Sequence, residues 1–152
     1  MSLTSEEFTA LAPDLTTGYP RSPRALLGGY VVAARAYDKC RATLAGKNGE
    51  YHFDCPLDNL FFGFTGIASA DFKAMAATGA DDAAMGDWIA EHSQVKEREK
   101  IVQWNNDLRY KRINEMPVEL QVFLEDYIVE NVPAHRPVYY WFDVYDLEEK
   151  RL

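Results

Sequence analysis

Between Pro23 and Ala45 the residues Leu27, Tyr30, Ala34, Tyr37, Arg41 and Leu44 recur at three- and four-residue spacing, with Val31 beside them. That period belongs to one face of an α-helix and not to a strand. Ser22 is a good N-cap, Pro23 suits the first helical position, and Gly46 falls just past the end, where a helix favours glycine. A helix over Pro23–Ala45 would be about 30 Å long at roughly 1.5 Å per residue, enough to cross a domain of this size. Gly28 and Gly29 lie inside it and should each cost ~1 kcal/mol against alanine. Close approach of another backbone, or a local kink, is the expected compensation.

The remaining segments read mostly as helices too. "TSEEFTALA" opens with a capping-box pattern, Thr4 to Glu7, and predicts a short helix before Pro13. "GKNGEYHFDCPLDN" is a loop holding a short extended piece, after which Asp54 or Cys55 caps a helix with Pro56 at its first position. "SADFKAMAATG", capped by Ser69, and "DDAAMGDWIAEH" predict two more. Ser93 starts a long helix, "QVKEREKIVQWNNDLRYKRINEM", which Pro117 ends. "VELQVFLEDYIVENV" is amphipathic, with Leu120, Phe123, Leu124, Tyr127 and Ile128 on one side. The segment 137–147 fits a strand by alternation and a helix by three- and four-residue spacing. Pro137 and the "DLEEKRL" ending favour helix, and a lone strand would have no partner. The expected fold is therefore all-α: a compact single-domain bundle of six or seven helices over residues 1–152, with a short N-terminal arm, 1–17. It is organised around two long helices, Pro23–Ala45 and Gln94–Glu115.

Composition permits such a core. Of the 152 residues, 47% are hydrophobic and 13% aromatic, too rich for a disordered chain. A net charge of −8 argues against nucleic-acid binding, which needs a basic footprint, and against adhesion to anionic membrane. The start, "MSLTSEEFTALAPD", lacks the basic and apolar regions of a signal peptide, and no stretch approaches a membrane span. Cys40 and Cys55 form no CxxC pair. A reduced, cytoplasmic setting is the expectation, with one disulfide between them as the alternative.

The charge is uneven. Residues 21–41 carry five bases (Arg21, Arg24, Arg35, Lys39, Arg41) against one acid, Asp38, a local +4 on an acidic protein. Arg21 and Arg24 at the mouth of the long helix make the first candidate site. Free N–H groups and the helix dipole favour an anion there, and guanidinium adds a bidentate grip. The competing reading is that both arginines pair with surplus surface acids. No GxGxxG or GxxxxGK[ST] supports nucleotide binding, and no cofactor is implied. Pro20 to Pro23 is formally a PxxP, but Pro23 is better used to start a helix.

The second candidate is the loop around His52 and Cys55. A thiol at a helix N-terminus is stabilised as thiolate, and His52 could act as its base. Asp54 and Asp58 oppose this, and a cysteine is often only a small buried hydrophobe. Metal binding has little support: His52, His92 and His135 lie forty or more residues apart with no ligand spacing. The third candidate is "WNNDLRYKR". Asn105 falls on the face of Val102, Leu108 and Arg112, where a structural helix would carry something apolar. With Arg35, Asp38 and Arg41 it could build a buried polar network that fixes helix register or lines a pocket. Asp143 and Asp146 read as a solvated helix end. The candidate ligand-binding set is thus Arg21, Arg24, Arg35, Asp38, Asn105 and Arg112, for a small anionic ligand or an acidic protein segment. The alternative is an enzyme working at His52 and Cys55.

"GYPRSPRALLGGYVVAARAYDKCRATLAG", followed by "GEYHFDCPLDNLFFGFTGI" and the "WFDVYDLEE" ending, resembles an uncharacterised bacterial family, number 5069 among the domains of unknown function. The likeness covers nearly the whole chain. It is strongest in Pro-Arg-Ser-Pro-Arg, the Asp-Lys pair, and Gly-Glu-Tyr followed by Cys-Pro-Leu-Asp. Tyr37 stands where the family tends to carry an aliphatic residue before Asp-Lys, a packing change. The resemblance implies no activity, cofactor or site.

Overall fold

The computed structural model describes residues 3–152. Among them are eight α-helices and no β-strand, so the fold is all-α, with one helix more than the upper expected count. The chain divides into two compact units, the first running up to Ile101 and the second Val102–Leu152.

The first unit holds α1 (Ser5–Leu11), α2 (Ala33–Leu44), α3 (Pro56–Thr65), α4 (Ser69–Ala76) and α5 (Asp82–His92). Thr4 caps α1 by accepting from the Glu7 N–H at 3.1 Å. Cys55 is the N-cap of α3, with Pro56 in the first turn as its sequence predicts. Asp81 caps α5 through the Ala84 N–H. Ser69 does not cap α4; Ala68 takes that position, and the Ser69 hydroxyl donates to Asp54 Oδ2.

Every residue from Tyr30 to Cys40 is buried, so α2 is the central rod. Its alanines let α3 and α4 approach closely. The Phe72 ring on α4 meets Tyr37, Phe53, Phe61, Phe62 and Trp88 at centroid distances of 5.2–6.3 Å, mostly edge to face. Burying one such ring contributes roughly 1.5–3 kcal/mol before any ring–ring gain.

The expected helix from Pro23 does not form before Ala33. Leu27 and Tyr30 instead exchange both backbone hydrogen bonds at 3.1 Å across Gly28 and Gly29. Both glycines have positive φ, 61° and 87°, as a two-residue type I′ connection demands. Gly28 packs on the backbone of Gly86, the close approach that paired glycines suggest. Ser22 accepts from Arg24 N–H in a local turn and caps no helix. Val32, at φ 71°, makes the corner into α2, an uncommon conformation for a β-branched residue.

The second long helix is shortened as well. α6 spans Arg98–Arg109, and the unit division falls inside it. Ser93 closes α5, and its hydroxyl is bonded to Tyr30 Oη at 2.9 Å and to Val95 N, so it starts nothing. After Arg109 the chain turns out of the helix. Arg112 bridges Tyr140, Lys111 O accepts from Trp141 N, and a short 3-10 turn follows at Ile113–Glu115. α7 (Val118–Asn131) buries Leu124 and leaves Val118, Leu120, Val122, Phe123 and Val129 exposed. Of its expected apolar face, Tyr127 and Ile128 are half-buried. α8 (Trp141–Glu148) resolves the ambiguous ending as helix, preceded by the single bridge at Tyr140. Asp143 and Asp146 are buried, against the expected solvated end. Asp143 accepts from the Tyr139 and Tyr140 N–H groups, and Asp146 pairs with Arg151 at 3.1 Å.

Candidate functional site

Three charged side chains, Arg35, Asp38 and Lys39, lie buried in the middle of α2. Successive helix positions point about 100° apart, so Asp38 and Lys39 serve two separate clusters.

Asp38 is the hub of the first. Its Oδ2 accepts from Arg21 N at 2.8 Å and Nε at 3.1 Å, and its Oδ1 from Arg21 Nη2 at 3.0 Å and Arg41 Nη2 at 2.8 Å. Arg35 Nη1 donates to Arg21 O at 3.2 Å, which pins the same loop. Arg21 also reaches Asp82 on α5, Nη1 to Oδ2, at 2.7 Å. Burial works against the Arg21 charge, but its hydrogen bonds to Asp82 and Asp38 outweigh burial and raise its pKa above the ordinary arginine value. The same bond from Arg21 holds Asp82 below the usual carboxylate range. Arg41 stacks on the Tyr37 ring, 4.2 Å from its centroid. Tyr37 in turn donates its hydroxyl to Ala80 O, and burial raises its pKa.

A pocket of about 340 Å³ lies at this cluster, lined by Arg21, Asp38 and Arg41 together with Leu11, Gly79, Ala80, Asp81 and Asp82. Arg41 is the group with capacity left. Its guanidinium makes one hydrogen bond, to Asp38, and its Nε–H is buried without an acceptor. Asp81 and Asp82 are exposed.

Lys39 builds the second cluster at the start of α3. Its Nζ lies 2.8 Å from Asp58 Oδ1 and donates to Cys55 Sγ at 3.2 Å. Asp58 is wholly buried and the Lys39 side chain only 4% exposed. The ammonium is near Asp58 Oδ1 but off a hydrogen-bonding line, so charge attraction holds that contact. Asp58 Oδ2 accepts from Asp54 N at 3.0 Å and fixes the turn before Cys55, where Asp54 has a positive φ of 65°. Cys55 is half-buried, whereas Cys40 is fully buried and its thiol is pushed up to about 12 by burial. Both cysteines are free thiols.

The structure thus brings Arg21, Arg35 and Asp38 together, but not at a helix mouth. The dipole contribution expected for Arg21 and Arg24 is absent, because α2 begins at Ala33. Arg24 is half-buried and does not line the pocket. Asn105 is buried in α6, as its face predicts. Arg112 lies beyond α6 with its guanidinium over the Tyr140 ring. It lines a separate pocket of about 430 Å³ in the second unit, with Gln121, Glu125, Arg136, Val138 and Tyr139. His52 is exposed, and the hydrogen-bond partner of Cys55 is Lys39 instead. Sequence reasoning missed Lys39 and Asp82 as site residues; it named Arg41 only as a partner in a network with Asn105, and Asp58 only as a group opposing a Cys55 thiolate. The local charge excess contained Lys39 and Arg41, but nothing local links them to Asp58 or Asp82.

The fold and its two ionic clusters define an all-α protein whose first unit is built on a buried, charged helix. Among the described residues no helix is long and apolar enough to cross a membrane. The chain belongs to DUF5069, a domain of unknown function, whose family model matches residues 17–151. No curated protein matches the chain.

Proposed function

We propose that the first unit is a binding module for a small ligand with an anionic group, held by Arg41 in the pocket at Asp38. The observation that carries this reading is the unused donor capacity of Arg41. A guanidinium offers five N–H groups, and here one is engaged while the Nε–H is buried without an acceptor. A ligand carboxylate would accept from the Nη N–H groups that the Asp38 bond leaves open.

The charge of the lining narrows the ligand class. Two guanidiniums (Arg21, Arg41) face three carboxylates (Asp38, Asp81, Asp82), so a bare inorganic anion meets a net negative wall. A zwitterion of amino-acid size answers both halves, its carboxylate on Arg41 and its ammonium toward Asp81 and Asp82. The pocket volume of about 340 Å³ lies within the range of small-ligand sites. Two free thiols support a reducing, cytoplasmic setting.

Thermal melts with L-glutamate, γ-aminobutyrate or sodium sulfate test this. A ligand present at about 100 times its Kd stabilises by roughly 2.7 kcal/mol, which is about 5–11 °C in Tm for a chain of this length. At least one amino acid should raise Tm, sulfate should not match it, and Arg41→Gln should abolish the response. No response to either zwitterion, or an equal response in Arg41→Gln, overturns the reading.

A further inference from the structure

We propose that Cys55 and Lys39 form an oxidation site, in which a peroxide oxidises the thiol and the lysine amine closes on the sulfur as a sulfenamide cross-link. The geometry is already assembled: Lys39 Nζ sits 3.2 Å from Cys55 Sγ, and Asp58 Oδ1, 2.8 Å away, holds the same amine. Lys39 is too buried to swing into solvent, so the two reactive atoms stay adjacent. Cys55 is partly open to a small oxidant, whereas Cys40 is enclosed and its thiol is held protonated by burial. Sulfur attacks peroxide as its thiolate.

The chemistry balances in two steps. In the first, the Cys55 sulfur gives up its proton and attacks hydrogen peroxide; the O–O bond breaks, sulfur is oxidised to sulfenic acid, and the departing hydroxide takes that proton and leaves as water. In the second, Lys39 passes one proton to Asp58 Oδ1, and the freed amine attacks sulfur. The S–O bond breaks, and the hydroxide takes the remaining proton as a second water. The product holds an S–N bond and a neutral Asp58. Two equivalents of an external thiol reverse it, giving back the thiol and amine with one external disulfide. This replaces His52 with Lys39 as the partner of Cys55 and is independent of the Arg41 pocket.

Peptide mapping of peroxide-treated protein tests the inference. Sulfenamide closure removes two hydrogens, so the intact mass should fall by about 2 Da. Trypsin should no longer cut after Lys39, and the segment 36–41 should appear joined to the segment 48–73. Dithiothreitol should restore both peptides. In Lys39→Arg, dimedone should instead trap a sulfenic acid on Cys55. The inference is overturned if wild-type Cys55 proceeds to sulfinic acid while trypsin still cleaves at Lys39. It is also overturned if Cys40 is oxidised as fast as Cys55. Mapping the wild-type chain decides the matter even where a Lys39 variant fails to fold.

Discussion

Replacing Asp58 by asparagine removes one charge and almost no volume from a point where water cannot compensate. Asp58 is wholly buried, and its partner Lys39 is 4% exposed with Nζ 2.8 Å away. The asparagine Oδ1 can still accept from Asp54 N–H, which the native carboxylate holds at 3.0 Å, so the turn before α3 keeps its bond. What remains is an ammonium without its counter-charge. Removing one partner of a buried ion pair costs about 3–5 kcal/mol, and the pair's enclosure leaves no reason to discount that range. At roughly 2–4 °C per kcal/mol, Asp58→Asn should lower Tm by about 6–20 °C. The double variant Lys39→Met/Asp58→Asn removes both charges and keeps a side chain of similar length on α2. It should return to within about 1.5 kcal/mol of the native chain, because well-packed neutral replacements of buried pairs are often close to neutral. Urea unfolding followed by circular dichroism gives all three stabilities, and the double-mutant cycle should show a coupling above about 2 kcal/mol. A cost below about 1 kcal/mol for Asp58→Asn, or strict additivity in the cycle, would falsify the buried-pair reasoning.

Three further perturbations address separate parts of the first unit. Gly28→Ala puts a Cβ 3.1 Å from Gly86 O and 3.2 Å from Gly86 Cα at a φ of +61°. It should destabilise by about 1–3 kcal/mol in urea melts, and a neutral effect would refute the tight Leu27–Tyr30 turn. Tyr30→Phe removes the buried 2.9 Å bond to Ser93 Oγ and should cost about 1–2 kcal/mol; an unchanged melting curve would mean that the bond contributes nothing. Asp82→Asn cuts the exposed end of the Arg21 network, where the Asp82 side chain is 54% exposed, so its cost should stay below about 1 kcal/mol. The Asp82 pKa is lowered in the folded chain, so its contribution is complete at neutral pH and is lost as pH falls through the folded value. Melting temperatures of the native chain and Asp82→Asn should therefore differ at pH 7 and converge in strong acid. A gap that persists in acid would assign the effect to packing.

The sequence is most legible where local chemistry decides the structure. Thr4 with Glu7 marks a helix start because that cap is satisfied within three residues, and Cys55 with Pro56 marks another because proline suits the first turn. The helical reading of 137–147 holds only from Trp141, four residues past Pro137, where the Asp143 carboxylate closes the first turn by accepting from Tyr140 N–H. The failure at Pro23–Val32 is equally physical. Leu27 and Tyr30 stand three apart, as on a helix, and Ala34 and Tyr37 continue the spacing, so a hairpin and a helix share one periodic pattern. The Gly28–Gly29 pair carried the correct signal, since adjacent glycines between apolar residues suit a type I′ turn and burden a helix. At the candidate site Arg21, Arg35 and Asp38 were legible from their charge. Asp58 and Asp82 were not, because each meets its partner only through tertiary packing.

Lys39 and Asp58 raise a question that stability alone does not answer. Two apolar residues could fill the same buried space on α2 and α3 at little cost, and desolvating an ion pair consumes much of its attraction. A pair retained for stability should make the native chain clearly more stable than its neutral double variant. A pair retained for chemistry need not, provided that it orients Nζ toward Cys55 Sγ and supplies Asp58 as proton acceptor. Lys39→Met/Asp58→Asn separates the two. Near-native stability together with loss of the peroxide-induced cross-link would assign the pair to Cys55. A stability loss above about 3 kcal/mol in the same variant would assign it to the fold, since neutral replacements at a purely chemical pair should cost less than a broken one.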